Sequence, residues 1–409
     1  MRIAVFTNQF PAKVCTFFAR DIRSLLETGN EVDIFPIYPL NPKLWGCIPA
    51  ILNEGVFSQS QVHHISIKKS LIPTPNIALA KLSGYFQDLC NISFSAIRYG
   101  FVPLAKSIYA SIKALGWAKE NKKEYDHILA YWGNYAATCA YLFHRLTDRS
   151  TAFSMFLRAG TDLYRDQVFL KQKLLYADNI FIECEYNRHF INNLYPSIFP
   201  QIASKIHLYY LGLDLAELHY SPGNRERGKI VAVGNLTKVK GFDYLLYAAQ
   251  ELVSRGFNIE VDLVGDGEEK TALKALAIQL GIADRVKFLG WLTFEKVKNV
   301  MSHATLLVHP SCTIGDAVPT VIKEAMALGT PVIASNVAGI PELLDNGMCG
   351  ILVPPGDSKA LADAIGELVQ NEPLRRCYAE SGRRFTEEKY DLWKNGRTLT
   401  DLMRNTSRH

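Results

Sequence analysis

Residues 305–335, TLLVHPSCTIGDAVPTVIKEAMALGTPVIAS, carry the clearest sign of secondary structure in the chain. An apolar run ends at Pro310, a loop containing glycine follows, and a helix is predicted from about Pro319. A second apolar run, TPVIAS, begins at Thr330. Strand, loop, helix and strand in this order form a β–α–β unit, which implies parallel strands joined by a right-handed crossover. The segment therefore predicts an open, parallel α/β sheet.

The same pattern continues on both sides of this stretch. Further strands are predicted at KIVAVGN, IEVDLVG, VKFLG and GILVPP. Helices fit between the strands at 241–255, 267–280, 293–302, 319–328, 338–345 and 357–370. The apolar runs show little alternation with polar residues, which is typical of a parallel sheet covered on both faces.

The amino-terminal half repeats this plan less clearly. Its predicted strands are IAVFT, EVDIFPIY, HILAYW, a strand within STAFSMFLRAG, NIFIEC and KIHLYYLGLD. Its predicted helices cover 16–29, two stretches near 76–90 and 92–120, and a stretch that ends at about Arg145. A chain of 409 residues suits two domains.

A change of composition at HYSPGNRERGK, residues 219–229, marks the linker between the halves. We therefore predict an α/β protein with two doubly wound Rossmann-like domains, 1–218 and 219–384, that face a cleft. The tail, 385–409, is predicted to be a helix that packs back toward the first domain, with Tyr390 and Trp393 as anchors.

Composition excludes several classes of protein. The formal net charge of +5, from 45 basic and 40 acidic residues, is too small to indicate nucleic-acid binding, although it allows a local basic patch. No pair of the eight cysteines forms a CxxC motif. The amino terminus does not resemble a signal peptide, and no uncharged apolar run approaches the ~18 residues of a membrane span. We expect a cytoplasmic protein.

The loop before the helix at 319–328 is the first candidate site. The amides at the start of that helix, from Ala317 and Val318 through Pro319 and Thr320, form a site suited to a diphosphate. Asp316 precedes the helix and Glu324 lies about a turn and a half inside it. Two acidic side chains on one side can hold a sugar and a ribose on either side of a diphosphate. The alternative is that Asp316 is only a charge at the helix start and Glu324 a solvated or paired residue.

Two more loops at predicted strand ends complete the candidate binding surface. After KIVAVGN, Gly234 and Asn235 begin a loop that carries Lys238 and Lys240 next to a helix start, which is a phosphate-binding arrangement. LVGDGEE, with Gly265, gives a third turn at the same edge of the sheet. Each of these two signals is weak by itself. His309, at a strand end, reads as a buried residue without a ligand.

Taken together, these motifs resemble the retaining glycosyltransferases of family 4, which have two Rossmann-like domains (the GT-B fold). The resemblance is carried by VAVGNLTKVKG, LVGDGEE, VKFLGWL, LLVHPS, GDAVPTVIKEAMALGTPVIAS and AGIPELLDNGMCGILVPPGD. It is specific over about residues 229–370. Over the amino-terminal half it is limited to the general plan.

The resemblance implies roles for the residues of these motifs. Glu324 matches the family acid that contacts the nucleotide ribose, and Asp316 falls on the acid that contacts hydroxyls of the donor sugar, usually a glutamate. Lys240 matches the phosphate-binding lysine, whereas Asn235 replaces an arginine, so Lys238 is a candidate for the second charge. A UDP-sugar is the implied donor substrate, and neither a metal nor another cofactor is required.

The first domain departs from the family pattern. The stretch LRAGTDLY, residues 157–164, has Arg158 and Asp162 but lacks the histidine common in relatives, and Tyr131 stands where another family histidine falls. We expect Arg158 and Asp162 to line the acceptor side, near the reacting carbon. The alternative is a structural turn closed by an Arg158–Asp162 pair. If this loop has no catalytic role, Tyr131 and His127 are the next candidates.

Residues 92–118 resemble a basic amphipathic helix on a membrane surface, with Arg98, Lys106 and Lys113 at regular spacing. The alternative is a helix packed on the first domain with three solvated cations. Peripheral association with the inner face of a membrane is therefore one expected property.

The leading functional hypothesis is retaining transfer of a hexose or related sugar (class EC 2.4) from a nucleotide diphosphate sugar to a glycan or lipid-linked acceptor, in polysaccharide biosynthesis. Two alternatives remain: a sugar-nucleotide epimerase of the same fold, and a non-catalytic subunit that binds sugar nucleotides.

Overall fold

The computed structural model describes residues 1–12, 16–47, 58–72, 79–147, 150–160, 162–223 and 225–406. The chain divides into two compact units. The first contains Met1–Gly212 together with Leu392–His409, and the second contains Leu213–Asp391.

The first unit is built on a parallel six-stranded sheet in the order β2-β1-β3-β4-β5-β6. In register, Val5 of β1 faces Ile34 of β2 on one side and Leu129 of β3 on the other. The direction in which the strands are added reverses between β1 and β3. The strands are β1 Arg2–Thr7, β2 Glu31–Pro36, β3 His127–Ala130, β4 Ala152–Leu157, β5 Asn179–Ile182 and β6 Ile206–Leu208.

Helices cover both faces of this sheet. Neighbouring residues of β1 alternate between two apolar clusters, Ala4 and Phe6 in one and Ile3 and Val5 in the other. This is why the strand sequences read as continuous apolar runs. The helices are α1 Thr16–Glu27, α2 Ile67–Leu71, α3 Leu79–Ile97, α4 Phe101–Glu120, α5 Tyr135–Leu146, α6 Leu170–Tyr176, α7 Glu185–Leu194 and α8 Phe199–Ile202.

The predicted helix over 92–118 is wrong in its extent. One helix, α3, continues to Ile97, and α4 begins only at Phe101. The chain turns at Gly100, whose φ of 105° is a conformation that glycine adopts at low cost. Lys113 is also not solvated: it is buried, donates to the carbonyl of Ile65, and lies over the ring of Trp117.

The second unit has its own parallel six-stranded sheet, in the order β12-β11-β10-β7-β8-β9. From β7 the chain adds β8 and β9 on one side, then returns to add β10, β11 and β12 on the other. The winding therefore reverses between β7 and β10. The strands are β7 Glu226–Val233, β8 Glu260–Val264, β9 Val286–Gly290, β10 Ala304–His309, β11 Val332–Ser335 and β12 Ile351–Val353.

The helices of the second unit follow the predicted alternation with strands. They are α9 Phe242–Ser254, α10 Lys270–Gln279, α11 Phe294–His303, α12 Thr320–Ala327, α13 Ile340–Leu343, α14 Ser358–Gln370 and α15 Glu372–Lys389. Short 3-10 turns lie at Lys238–Lys240 and Asp345–Gly347. The two parallel sheets with flanking helices confirm the predicted fold class.

The tail consists of two helices rather than one. Phe385 lies within α15, and the last helix, α16 Leu392–Arg404, belongs to the first unit. The hydroxyls of Thr28 and Thr400 are 2.9 Å apart, which joins the end of α1 to α16. Tyr390, between the two helices, is buried in the second unit beneath Lys323. Among the described residues, no helix is long and apolar enough to cross a membrane.

Candidate functional site

The second unit brings two loops together where its sheet reverses direction. One loop follows β7 and includes the turn Lys238–Lys240, and the other follows β10 and leads to α12. The amide of Cys312 donates to the carbonyl of Val239 at 3.0 Å, which fixes one loop against the other. Ligands of doubly wound sheets bind at this reversal, beyond the carboxyl ends of the strands. We call these two loops the β7–β10 crevice.

An ion pair joins the two loops of this crevice. Nζ of Lys240 lies 2.5 Å from Oδ2 of Asp316, and both side chains are mostly buried. The sequence placed Lys240 and Asp316 at the same edge of the sheet as separate candidates. The structure brings them into direct contact.

Asp316 has two further partners that the sequence interpretation missed. Nε2 of His309 lies 2.6 Å from Oδ2 of Asp316, and the hydroxyl of Ser311 donates to the same oxygen at 2.5 Å. His309 is the last residue of β10 and is buried, as expected, but it is also part of the site. The available signal was position: a polar residue that ends a parallel strand at the reversal point lies at the ligand-binding edge.

The charges in the crevice follow from these contacts. Burial opposes ionisation of Asp316, but His309, Lys240 and their hydrogen bonds outweigh it and hold the pKa of Asp316 well below its usual value. Burial, assisted by Lys240, lowers the pKa of His309. His309 is then a neutral imidazole that donates Nε2–H to Asp316. Its Nδ1 has no hydrogen-bond partner among the described residues, which agrees with this tautomer.

Helix α12 points an uncapped amino terminus at the same loops. Pro319, where the helix was predicted to begin, is its N-cap, and the first helical residue is Thr320. No side chain of the described residues caps this end of the helix. The first amides of an α-helix have no partner within the helix. The side chains of Ala317 and Pro319 are buried, while Val318 and Thr320 are partly exposed. An uncapped helix start beside a lysine favours an anion.

Glu324 is the fifth residue of α12, and its side chain is buried, with 7% of its surface exposed. The simple alternative of a solvated glutamate is therefore wrong. A partner within the protein and a role toward a ligand both remain compatible with this placement.

The other predicted donor-site residues lie on the neighbouring turns. Asn235 and Lys238 are exposed, whereas the side chain of Lys240 is mostly buried. Gly234 and Gly265 are in backbone contact: a Cβ on Gly265 would lie 1.9 Å from the carbonyl oxygen of Gly234. The amide of Leu236 donates to the carbonyl of Asp266 at 3.0 Å. The turns after β7 and β8 are thus packed together beside the β7–β10 crevice.

The first unit contains a buried polar cluster at the carboxyl edge of its sheet. The first residue after each of four strands takes part, and a carboxylate from α1 completes it. We call this group the strand-end cluster: Asp21, Tyr131, Arg158, Glu183 and Tyr209. The phenol groups of Tyr131 and Tyr209 both donate to Asp21, at 2.5 and 2.9 Å.

Arg158 lies at the centre of this cluster. It forms an ion pair with Glu183, and its Nη2 is 3.6 Å from Oδ2 of Asp21. The guanidinium carbon lies 4.2 Å from the ring centroid of Tyr131 and 4.5 Å from that of Phe156. Only 4% of Arg158 is exposed. These contacts favour a structural role for Arg158.

Arg158 and Asp162 do not pair. Within the described residues no ion pair joins them, so the alternative of a turn closed by an Arg158–Asp162 pair is wrong: the guanidinium of Arg158 pairs with Glu183 and Asp21 instead. Asp162 is buried, and neither carboxylate oxygen has a hydrogen bond of good geometry among the described residues. Burial raises the pKa of Asp162 to about 7, although the backbone of Gly133 and the cations Arg158 and Lys173 act in the opposite direction.

The two fallback candidates of the first unit are also buried. Tyr131 belongs to the strand-end cluster, and Nε2 of His127 lies 2.8 Å from the hydroxyl of Ser154. Burial lowers the pKa of His127 to about 3. Among the described residues, no group of three or more histidine, cysteine, aspartate or glutamate side chains could hold a metal ion.

Comparison with known protein families gives one match in the carboxy-terminal half. Residues 219–385 match the family described as "Glycosyl transferases group 1". This range contains the whole β7–β10 crevice.

Two curated relatives show different coverage. The chain is 26% identical to amylovoran biosynthesis glycosyltransferase AmsK of Erwinia amylovora over 397 residues, 91% of each protein. It is 32% identical to alpha-D-kanosaminyltransferase of Streptomyces kanamyceticus over 189 residues, 46% of this chain. The latter match spans 48% of the kanosaminyltransferase, about half its length.

Two solved structures share the complete fold. Sucrose-phosphate synthase from Thermosynechococcus elongatus superposes with a TM-score of 0.72 at 18% identity, over 99% of this chain and 98% of that one. Alr3699/HepE from Anabaena, solved in complex with UDP-glucose, gives 0.65 at 18% identity, over 99% and 100%. Both sheets of the chain therefore belong to the GT-B architecture.

Proposed function

We propose that this chain, whose residues 219–385 carry a glycosyl transferases group 1 domain, is a retaining glycosyltransferase that uses a nucleotide diphosphate sugar. We place it in family 4, with a UDP-sugar as donor and a glycan or lipid-linked glycan as acceptor. The observation that carries the proposal is the Lys240–Asp316 pair in the β7–β10 crevice beside the uncapped start of α12.

The donor fits this crevice in three parts. The diphosphate accepts hydrogen bonds from the amides at the start of α12 and pairs with the ammonium of Lys240. Both supply positive charge to the anionic phosphates. Asp316 accepts hydrogen bonds from hydroxyls of the sugar, and Glu324 accepts them from the ribose. Lys238, exposed on the same turn, supplies a second cation in place of the arginine that Asn235 replaces.

The chemistry requires little beyond stabilisation of the leaving group. The acceptor oxygen bonds to the anomeric carbon as the bond from that carbon to the diphosphate breaks. In a retaining reaction, the leaving diphosphate can itself take the proton of the acceptor hydroxyl. Electrostatic support of the phosphate is then more important than a protein base.

We propose that the reaction needs no metal, since Lys240 and α12 supply positive charge to the diphosphate. Turnover should continue in the presence of a chelator. Loss of turnover with a chelator and its recovery with a divalent ion would overturn this part of the proposal.

The acceptor belongs to the first unit in this proposal. AmsK, which matches nearly the whole chain, is described by its name as an enzyme of amylovoran biosynthesis, and this supports a polysaccharide as the product. The acceptor-side role of Arg158 and Asp162 stays a prediction, with the contacts of Arg158 favouring structure over catalysis.

A donor screen tests the function. The protein is incubated with a panel of nucleotide diphosphate sugars and candidate acceptors, and release of nucleoside diphosphate is measured. We expect release that depends on an acceptor, and a product whose anomeric configuration by NMR matches the donor. An isomerised sugar nucleotide would indicate an epimerase instead, and tight binding without consumption would indicate a non-catalytic subunit.

A further inference from the structure

The corner between α3 and α4 exposes an unusual number of large apolar side chains. Phe101 is 81% exposed and Phe94 is 66% exposed. Ile97, Tyr99 and Val102 are exposed on the same short turn. Single exposed apolar residues are ordinary, but a contiguous group of aromatic and aliphatic side chains marks an interaction surface. We call this group the apolar corner.

The apolar corner continues into a shallow apolar groove. A cavity of about 340 Å³ is lined by Ile67 of α2 and by Phe101, Leu104 and Ile108 of α4, among others. Leu71 and Ile72, at the end of α2, are both 56% exposed. The apolar surface therefore extends over two helices and their ends.

Positive charge is concentrated in the same part of the chain. Residues 58–120 contain seven lysines and arginines and two acidic residues, so their net charge of +5 equals the formal net charge of the whole chain. Both acidic residues have cationic partners: Asp88 pairs with Arg145, and Glu120 pairs with Lys69 at 2.6 Å. Negative charge near the apolar corner is thus already neutralised.

Three exposed cations lie on the helices that carry this apolar surface or at their ends, namely Lys68, Arg98 and Lys106. The guanidinium of Arg98 lies 4.8 Å from the ring centroid of Phe94, so the cation and the aromatic ring point outward together. Long basic side chains next to exposed aromatic rings suit the boundary between lipid head groups and acyl chains.

We propose that the apolar corner docks on the surface of an anionic lipid bilayer. Phe94, Ile97, Phe101 and Val102 enter the acyl boundary, and Lys68, Arg98 and Lys106 contact the anionic head groups. A bilayer fits better than a protein groove because exposed cations lie on the same helices as the apolar side chains and the net charge of residues 58–120 equals that of the whole chain. The proposal concerns the first unit only and holds whatever sugar the second unit binds.

Vesicle sedimentation with the full chain tests the proposal. Mixed phosphatidylglycerol–phosphatidylcholine vesicles should pellet the protein, and vesicles of phosphatidylcholine alone should pellet much less of it. Raising the salt concentration should release the protein, because exposed charges are screened. Equal binding to both kinds of vesicle, or binding to neither, would overturn the proposal.

Two variants locate the surface. Phe94→Ser/Phe101→Ser should lower the vesicle partition coefficient at least about tenfold, because two phenylalanine side chains no longer leave water. Arg98→Glu/Lys106→Glu should lower it by about fivefold or more for each cation. Matched controls in the second unit are Ile278→Ser, at a position 70% exposed, and Lys359→Glu, also exposed. The controls should bind vesicles like the wild type.

Melting temperature and nucleotide binding of each variant show whether it is folded. Because the proposed function places nucleotide binding in the second unit, its absence in the wild type would speak against that function and not against membrane docking. Equal loss of vesicle binding in the variants and the controls would overturn the docking proposal. So would self-association that depends on Phe94 and Phe101 without vesicle binding, since the apolar corner would then join two copies of the chain.

Discussion

In the part of the chain that the structure describes, Lys240, His309 and Ser311 all meet Asp316 at the same carboxylate oxygen. All three contact Oδ2, at 2.5 to 2.6 Å. Three partners on one oxygen fix the orientation of the carboxylate. A carboxylate held in this way can accept hydrogen bonds from a sugar hydroxyl without first changing its conformation. His309 and Ser311 therefore act as positioning residues for an aspartate that is one methylene shorter than the usual glutamate.

Glu324 gives the first prediction at the scale of residues. If it binds the ribose of the donor, Glu324→Ala should weaken nucleotide binding by about 1.5–3 kcal/mol, the range for a hydrogen bond to a charged group. Glu324→Gln, which keeps the size of this buried side chain, should lose less of the free energy of nucleotide binding than Glu324→Ala. Calorimetry measures both, with melting temperature as the control for folding. Wild-type affinity in both variants would remove Glu324 from the binding site.

Asp162 gives a prediction about pH. Its pKa is raised from 3.8 to about 7 by burial, so the fold favours the protonated carboxyl. This contribution to stability is complete below pH 4 and is lost as the pH rises from about 4 to about 7. Asp162→Asn imitates the protonated form. Relative to wild type, we expect its free energy of unfolding to rise steadily across this interval.

Denaturant titrations of both proteins at several pH values measure that difference. Lys173, the buried neighbour of Asp162, has a pKa lowered by burial to about 7, so its own titration falls mainly above the interval. A difference in stability that does not change with pH would contradict the assignment. The same variant also tests the acceptor loop, because wild-type turnover would exclude Asp162 from the mechanism.

At the scale of elements, the turns after β7 and β8 depend on close backbone contact. Gly265 has a φ of 134°, and any side chain there would meet the carbonyl of Gly234. Gly281, at the end of α10, also has a positive φ, of 69°, but a Cβ there would meet nothing within 4 Å. Gly281→Ala should cost about 1 kcal/mol, from backbone conformation alone.

Gly265→Ala should cost clearly more, because it adds a backbone clash to that strain, and it should also weaken nucleotide binding by shifting the loop of Lys240. Thermal unfolding and calorimetry of the two variants provide the comparison. Equal losses of stability in Gly265→Ala and Gly281→Ala would contradict this prediction, because the turns after β7 and β8 could then move apart at no cost in free energy.

The elements themselves were largely predictable from the sequence. Parallel strands such as KIVAVGN and TLLVHPS have continuous apolar runs because both faces are buried, and glycine or proline marks most of their ends. The break at Gly100 was missed because apolar residues continue at helical spacing on both sides of it. Only the backbone conformation of Gly100 separates α3 from α4.

The strand-end cluster could not be predicted in the same way. Asp21, Tyr131, Arg158, Glu183 and Tyr209 are far apart in the chain, and no local pattern connects them. Four of them each follow the last residue of a strand, and the strands are parallel neighbours, so these four residues meet at the carboxyl edge of the sheet. The sequence could therefore offer only the neighbouring Asp162 as an alternative partner for Arg158, and its actual partners Glu183 and Asp21 were missed. The same limit applies to His309, whose contact with Asp316 depends on a loop conformation.

At the scale of the whole molecule, two sheets of similar plan serve different purposes. The second carries the β7–β10 crevice, where the mostly buried side chains of Lys240 and Asp316 form an ion pair. The first buries its polar strand-end residues against each other and places its excess positive charge on α2, α3 and α4. The net charge of the whole chain, +5, is small, but residues 58–120 alone carry a net charge of the same size.

The proposed function requires that Lys240 in the β7–β10 crevice binds the diphosphate of a nucleotide sugar. Calorimetric titration with UDP, GDP and ADP tests it most directly, using wild type, Lys240→Ala and the matched variant Lys238→Ala. We predict that wild type binds one of the three, that Lys240→Ala lowers this affinity at least about tenfold, and that Lys238→Ala lowers it less. Binding of none of them by the wild type, or equal affinity in wild type and Lys240→Ala, would contradict the claim.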